Sequence, residues 1–576
     1  MSAHGYWESF VNRRVTRRRA IAATGALTAS AAFLAACGGD DDDDDGGGSG
    51  SGTGGAAPTA GAGGGGTASG GPKMGGVARM NTLTAVDPAT YDLHQAADAN
   101  STWITSMAYD QLVQFSTTEK DVVAPDLASA WEHPDPMTVT LTLHEASFHD
   151  GTPFTSEDVK VTMERITNPP EGVVSIRRQQ FSHLESVETP DARTAVFHLT
   201  RPSAAIFGSL AQTNIGIYSA KDLAGPDPNW HIENMNGTGP FILDQVNQGS
   251  LYSMKRNPEY FMEGLPRLDG WEWHIIPEEV ARFAAFASGN LDLHTVDTAN
   301  LETVRNNSEM TLLETSGTAY WVTTIPTFKD PWKDDRIWKA IALAADKDAF
   351  NIANFQGTST HGGPLPPGSL WALSEEELLQ VPGYKGLGDG QESDMDARWA
   401  EANKLMRAAS FPESRDIDLF GLSGSPAFEN WAIVLADGVS HIGLTANITL
   451  HERGVYDERL AARDFGDLAA NSRSAVFPDP TPVFADSYLD GSGRNYTGIV
   501  IPEVEDLFVK QESELDQERR FALQNEMQKA FLKVYPAEIS VFTVTRQGMY
   551  NYVKEYGEAY GSFYQGRKYQ YVWLDT

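Results

Sequence analysis

Cysteine occurs once in the 576 residues, at Cys37. A disulfide within the chain is thereby excluded, as is a cysteine cluster for metal. Basic residues are scarce beside acidic ones, 44 Lys+Arg against 78 Asp+Glu, for a net charge of −34. A nucleic acid or an anionic membrane surface would need a face of the opposite sign. Neither is expected as a partner, and a soluble, self-repelling surface is the plain reading. Beyond the N-terminal segment no stretch reaches the ~18 uninterrupted apolar residues of a spanning helix. Catalytic signatures are missing too: there is no HExxH, no GxSxG and no P-loop. Gly421-Leu422-Ser423-Gly424-Ser425 approaches a nucleophile elbow but lacks glycine at the needed place. His149-Asp150 and His451-Glu452 have no third partner at a suggestive spacing, and so many acids form pairs by chance. No enzyme activity and no cofactor are expected.

What is present begins with an export segment. Arg13, Arg14, Arg17, Arg18 and Arg19 precede an apolar, small-residue run from Ala20 to Ala36, the layout of a secretory signal. The run ends in Leu34-Ala35-Ala36-Cys37, which looks like a bacterial lipobox, so Cys37 is expected to carry diacylglycerol and to become the new N-terminus. Thr16-Arg17-Arg18-Arg19-Ala20-Ile21 resembles a twin-arginine (Tat) signal, with Ala20 where that motif prefers a large apolar residue; Sec export is the alternative. Residues 1–36 are read as the signal and 37–74 as anchor and linker. Six aspartates, Asp40 to Asp45, are followed by Gly, Ser, Ala and Thr as far as Lys73. Such a composition buries too little apolar surface to offset its chain entropy. As a flexible spacer it would span ~30–35 Å.

The folded part is organised around Tyr109 to Arg165. Met137, Val139, Leu141 and Leu143 alternate with Thr138, Thr140 and Thr142, the period of a half-buried strand. His149-Asp150-Gly151 is turn chemistry. Thr155 with Asp158 three residues on then predicts a capped helix start. Further on, Val280, Phe283, Ala284 and Ala287 predict one helix, Ile337, Ala340, Ile341 and Ala344 a second, and Asp516 caps a third carrying Leu523, Met527, Ala530 and Phe531. His94 and Asp98, at i and i+4, suggest a metal pair, but no third ligand is near and a surface loop is expected.

The order of these pieces, with Gly75-Gly76-Val77-Ala78-Arg79-Met80, Asn236-Gly237-Thr238-Gly239-Pro240-Phe241, Arg256-Asn257-Pro258-Glu259-Tyr260 and Pro331 to Arg336, resembles the family 5 solute-binding proteins, receptors that feed ATP-binding-cassette importers. One departure is His144, where a basic residue is usual. The resemblance implies an α/β, two-lobed periplasmic-binding-protein-like fold with mixed sheets flanked by helices and a hinge of two crossings. It implies a first lobe over 75–281 plus 541–576, including a small extra domain at about 108–205, and a second lobe over 282–540. It also implies a monomeric, extracytoplasmic receptor, held at the membrane by the lipid on Cys37, that passes a peptide or peptide-like solute to ABC permease subunits. A non-peptide ligand (oligosaccharide, organic acid or metal chelate), a signalling receptor and a surface hydrolase stay open as alternatives.

Peptide-binding members carry Trp-x-x-Asp-aromatic-x-Asp-Pro, whose first aspartate holds the peptide α-ammonium. Laid on Arg473 to Pro480, the segment keeps Phe477 and Asp479-Pro480, but Val476 stands at the ammonium position and Arg473 at the tryptophan. A buried ammonium without its carboxylate forfeits a bond worth ~1.5–3 kcal/mol. The ligand expected from this substitution lacks a free α-amino terminus and is neutral or bears an anionic group for Arg473; a shifted alignment, or an Arg473 turned to solvent, is the plain alternative. Arg473, Val476, Phe477 and Asp479 are therefore the candidate ligand contacts, with Trp321 and Trp371 as candidate aromatic walls.

Overall fold

The computed structural model describes residues 71–82, 86–96, 99–116, 122–474, 479–538, 540–556 and 568–576. The export segment with Cys37 and the linker up to residue 70 lie outside them. So do Asp98, Val476 and Phe477. The unit Lys73–Thr576 is two-lobed and α/β.

β1 (Val77–Asn81) comes first, in the stretch expected to form the first lobe. The predicted alternation then appears in a separate antiparallel sheet of four strands, β2 (Ala128–Asp135), β3 (Thr138–Leu143), β4 (Leu184–Asp191) and β5 (Thr194–Leu199), in the order β2-β3-β5-β4. Val139, Leu141 and Leu143 are buried while the threonines between them are not, as the period of two requires. Helix α1 (Ser156–Thr167) packs on this sheet. Its start is the expected capping box: the Asp158 carboxylate accepts from the Thr155 amide at 2.7 Å and the Thr155 hydroxyl at 3.0 Å. α2 (Ile206–Leu210) follows β5.

β6 (Phe241–Asn247), β7 (Leu251–Arg256) and β8 (Gly270–His274) return the chain to β1, which lies parallel to β8. The motifs that precede them dock on one another. The His149 amide donates to the Gly237 carbonyl (2.8 Å). The Asp150 amide donates to Asn236 (3.2 Å), and Asn257 donates to the Gly239 carbonyl (3.0 Å). The Gly237 Cα is so close to the Ala108 carbonyl that a Cβ there would stand 1.9 Å from its oxygen, which is why glycine occupies this position. Beneath lies a fully buried cation with two carboxylates. Lys568 Nζ is 2.6 Å from Asp110 and pairs also with Asp126, and Thr238 and Tyr260 donate to Asp110 at 2.9 and 3.2 Å. Burial, with Asp110 beside it, pushes the Asp126 carboxyl up to about 7 despite the opposing pull of Lys568.

α3 (Glu279–Ala287) and β9 (Leu293–Thr295) come next. The predicted helix forms, but the face expected to be buried is not: Val280 is 83% exposed, Ala284 and Ala287 are exposed, and Phe286 is the buried residue. A nine-residue helix is held by its aromatics more firmly than by small alanines: Phe286 packs on His294 and Tyr550, with the half-buried Phe283 beside it. β9 lies between β1 and the C-terminal half of β14 (Ser540–Tyr550).

β10 (Met310–Thr324) is the long strand of the molecule. From Met310 to Ser316 it pairs with β14, and from Ala319 to Thr324 with β13 (Leu468–Ser474). Between these registers sits a bulge at residues 317–319. A Cβ on Gly317 would lie 1.9 Å from the Thr543 hydroxyl oxygen. Beyond the bulge come α4 (Asp335–Ala344), β11 (Arg415–Leu422), α5 (Pro426–Ser440), β12 (Leu444–His451), α6 (Pro480–Ser487), α7 (Pro502–Ser513) and α8 (Gln517–Val534), the stretch expected to form the second lobe. Ile337, Ala340, Ile341 and Ala344 are buried in its core with Met527, Ala530 and Phe531. The sheet order β12-β11-β13-β10-β14-β9-β1-β8-β7-β6 is thus one mixed sheet running through both lobes.

His94 corrects the expectation of a surface loop. It is buried, with Nε2 at 3.0 Å from the Gly216 carbonyl oxygen and Nδ1 accepting from Arg165 at 2.9 Å. Arg165 also grips Asp92 at 2.6 Å, and Tyr218 stacks on His94 (4.1 Å) and on His231 (3.8 Å). Burial and the neighbouring Arg165 guanidinium hold His94 down to about 4, and burial brings His231 to about 3.

Candidate ligand-binding site

Arg473 is buried on β13 opposite Tyr320 of β10. Its guanidinium lies over Tyr488 (5.1 Å) and Tyr496 (5.9 Å) and donates to the Arg494 carbonyl at 3.0 Å. The Tyr488 hydroxyl meets the Tyr320 hydroxyl at 2.5 Å, and Tyr320 stacks on Phe542 of β14 at 4.6 Å. A polar and aromatic chain therefore runs from Arg473 to β14. Val476 and Phe477 fall outside the described residues.

Asp479 is only 8% exposed, and its carboxylate is engaged within the protein. It caps α6 by accepting from the Thr481 amide at 2.8 Å and takes two bonds from Arg520, each 2.8 Å. Arg520 is fully buried, donates further to Thr481 (3.1 Å) and Gln511 (3.2 Å), and lies 4.9 Å over the ring of Trp371. Trp371 is thus the flat partner of a structural arginine. Trp321 is 7% exposed among Phe350, Phe355 and Phe428, with ring centroids 5.4–6.3 Å apart. Its indole Nε1 has no hydrogen-bond partner among the described residues. The structure sets Arg473 beside β10, joins Asp479 to Trp371 through Arg520, and buries Trp321 in the same hydrophobic core as Ile337 and Met527.

Sequence reasoning missed the charges that meet where residues 177–204 pack against α6 and α7. Arg177, just before the short helical turn Arg178–Phe181, pairs with Asp486 of α6, whose other oxygen accepts from Gln180 at 2.9 Å. Arg201, after β5, reaches Glu512 of α7 at 2.5 Å, and His183 Nδ1 lies 3.0 Å from the other Glu512 oxygen. The Ala204 amide donates to the Glu512 carbonyl at 2.7 Å. Burial works to raise the Glu512 carboxyl, but His183 and Arg201 outweigh it and hold the group below the usual range. The partners stand more than 300 residues apart, as in the separations of 309 and 311 for the two arginine pairs, so no local pattern marks them. A recess of about 570 Å³ lined by Glu302, Thr303, Asn306, Asn307 and Ser308 shares no residue with this seam. Among the described residues no group of three or more His, Cys, Asp or Glu side chains could hold a metal ion. No helix among them is long and apolar enough to cross a membrane.

Two lobes joined by two strands, with polar groups gathered at the seam, form the architecture of a small-molecule receptor. The family model for bacterial extracellular solute-binding proteins, family 5, matches residues 122–495, well over half of the chain. The chain belongs to that family. This family 5 solute-binding protein is 25% identical over 429 residues to a putative ABC transporter peptide-binding protein of Brucella ovis, covering 71% of this chain and 76% of the relative. Among solved structures it is similar to the periplasmic binding protein AgaA of A. tumefaciens R10 in complex with agropinic acid. That match has a TM-score of 0.77 and 22% identity and covers 87% of this chain and 99% of AgaA. It is also similar to the periplasmic binding protein DppA of Helicobacter pylori in complex with the peptide STSA, with a TM-score of 0.75, 21% identity, and 88% and 99% coverage. The family consists of extracellular solute-binding proteins, not enzymes, and a substrate-binding receptor is what this chain is.

Proposed function

We propose that the chain is the lipid-anchored receptor of an ATP-binding-cassette importer, closing its lobes on a small solute and presenting it to permease subunits without chemistry of its own. The observation that carries this reading is the pair β10 and β14, which crosses from lobe to lobe with a bulge at Gly317. Two such strands are a hinge, and closure about a hinge is the switching motion such receptors need. We put the first crossing at this bulge instead of residue 282, because 279–315 packs with β1, β9 and the far half of β14. The second crossing is put at Phe542 to Val544. The small four-stranded sheet over 128–199 is assigned to the first lobe in this reading. The membrane anchor is assigned to Cys37, export to the preceding signal, of Tat or Sec type, and the working form to a monomer.

For the ligand we favour a peptide-like or other small solute without a free α-amino terminus. Val476 leaves the ammonium position without a carboxylate, and both oxygens of Asp479 are occupied by Arg520. Arg473 remains the candidate for an anionic group, and the unpartnered Trp321 Nε1 the candidate for a donated hydrogen bond. Both a peptide and the non-peptide agropinic acid are bound by the structural relatives. Calorimetric titration with matched free-amino and N-acetylated short peptides tests the reading. Binding of the acetylated form at equal or better affinity is expected; tight binding of the free-amino form alone overturns it.

A further inference from the structure

We propose that Arg177 with Asp486, and Arg201 and His183 with Glu512, form a two-point ionic latch that holds the lobes closed. The proposal rests on the reading that the lobes move about the β10 and β14 crossing. Each point takes its acid from α6 or α7, in the second lobe, and its bases from the first lobe: His183 and Arg201 flank strands of the small sheet and Arg177 precedes the turn Arg178–Phe181. In the closed form His183 and Glu512 are 0% exposed, Arg177 3% and Asp486 10%, while Arg201 keeps 26% of its side chain in water. A buried pair repays its desolvation only when both oxygens are satisfied and the geometry is good. Asp486 meets the first condition, accepting from Arg177 on one oxygen and Gln180 on the other, and Glu512 accepts from Arg201 on one oxygen while His183 Nδ1 lies 3.0 Å from the second. Gln212 in turn donates to Gln180 Oε1 at 2.5 Å, which orients the Gln180 amide toward Asp486. The main-chain bond from Ala204 to Glu512 fixes the register of closure. Opening the lobes hydrates all of these groups, whereas removing one partner leaves the other stranded in the closed seam. Single neutral substitutions therefore penalise the closed form specifically.

Two labels report the lobe separation without a known ligand. The full chain carrying Cys37→Ser, Glu185→Cys and Glu503→Cys has one exposed label site on each lobe. In this background, spin-label distance measurement is expected to find a closed population in the absence of solute. Asp486→Asn and Glu512→Gln should each lower the ratio of closed to open molecules about tenfold or more. Arg177→Asp should do the same, and combining it with Asp486→Arg should restore the short distance, which separates a lost latch from a lost fold. A background that samples both distances, with substitutions that leave the ratio unchanged, would overturn the latch while leaving lobe motion intact. One fixed distance in every variant would overturn both the latch and the moving-receptor reading.

Discussion

Replacing Asp479 by alanine should lower the stability of the second lobe by about 4 kcal/mol, because the substitution strands a buried guanidinium. Arg520 is fully buried and Asp479 supplies both of its 2.8 Å bonds to a carboxylate. Breaking such a pair from one side costs roughly 3–5 kcal/mol. Loss of the cap on α6, where Asp479 accepts from the Thr481 amide, adds ~1 kcal/mol. The bonds Arg520 keeps to Thr481 and Gln511, and its seat on Trp371, offset part of the sum. At ~2.1 cal/mol/K of unfolding entropy per residue, the change corresponds to ~4 °C if Lys73–Thr576 melts as one unit and about twice that if the second lobe melts alone. Asp479→Asn, which keeps a cap and one acceptor for Arg520, should lose about half as much. Scanning calorimetry of the three proteins reads these values. An unchanged melting temperature accompanied by lost solute binding would refute the reasoning and return Asp479 to the role of ligand contact.

Buried neutral histidines should make the fold acid-labile. His94 is held down to about 4 and His231 to about 3, against an ordinary value near 6.5, so the unfolded chain binds protons that the native one refuses. Stability is complete above pH ~6.5 and falls as pH drops from there toward 4, by about 3 kcal/mol for His94 alone; denaturant titrations at pH 7.5 and 4.5 measure it. Gly237→Ala forces a Cβ against the Ala108 carbonyl and should cost about 3 kcal/mol or more, seen as a lower denaturation midpoint or failure to fold. Lys568→Met leaves Asp110 and Asp126 together in a dry site. A loss of roughly 3–5 kcal/mol at pH 8 is expected, and it should shrink at pH 5 as the carboxyls take up protons, so the gap to the unmodified protein narrows on acidification.

Local chemistry was the legible part of this chain. The strand over Thr138–Leu143 and the Thr155–Asp158 cap follow from residues a few positions apart, and both form as their patterns require. The glycines of Asn236 to Phe241 were readable as backbone positions, though the carbonyl that demands Gly237 comes from Ala108. What depends on distant chain was not readable. Val280, Phe283, Ala284 and Ala287 make a clean stripe, yet the helix buries Phe286, because His294 and Tyr550 meet that side of it. His94 does lie in a loop, but nothing local shows that Arg165 and Tyr218 bury it. At the candidate site, an aromatic residue in a strand and an acid before a proline suggest ligand contacts equally well as core. Only the position of Arg520, remote in sequence from Trp371 and Asp479, assigns both to the scaffold. The ion pairs across the seam have no local signature at all.

The central claim, that this is a receptor which holds a solute unchanged, is tested most directly by native mass spectrometry. The full chain would be purified gently from its own host, then denatured to release and identify what it carried. A single small solute bound one to one, and recovered intact after prolonged incubation with the protein, is the predicted result. A chain that retains no solute from its host or from a broad panel, or that returns the solute chemically altered, would contradict the account.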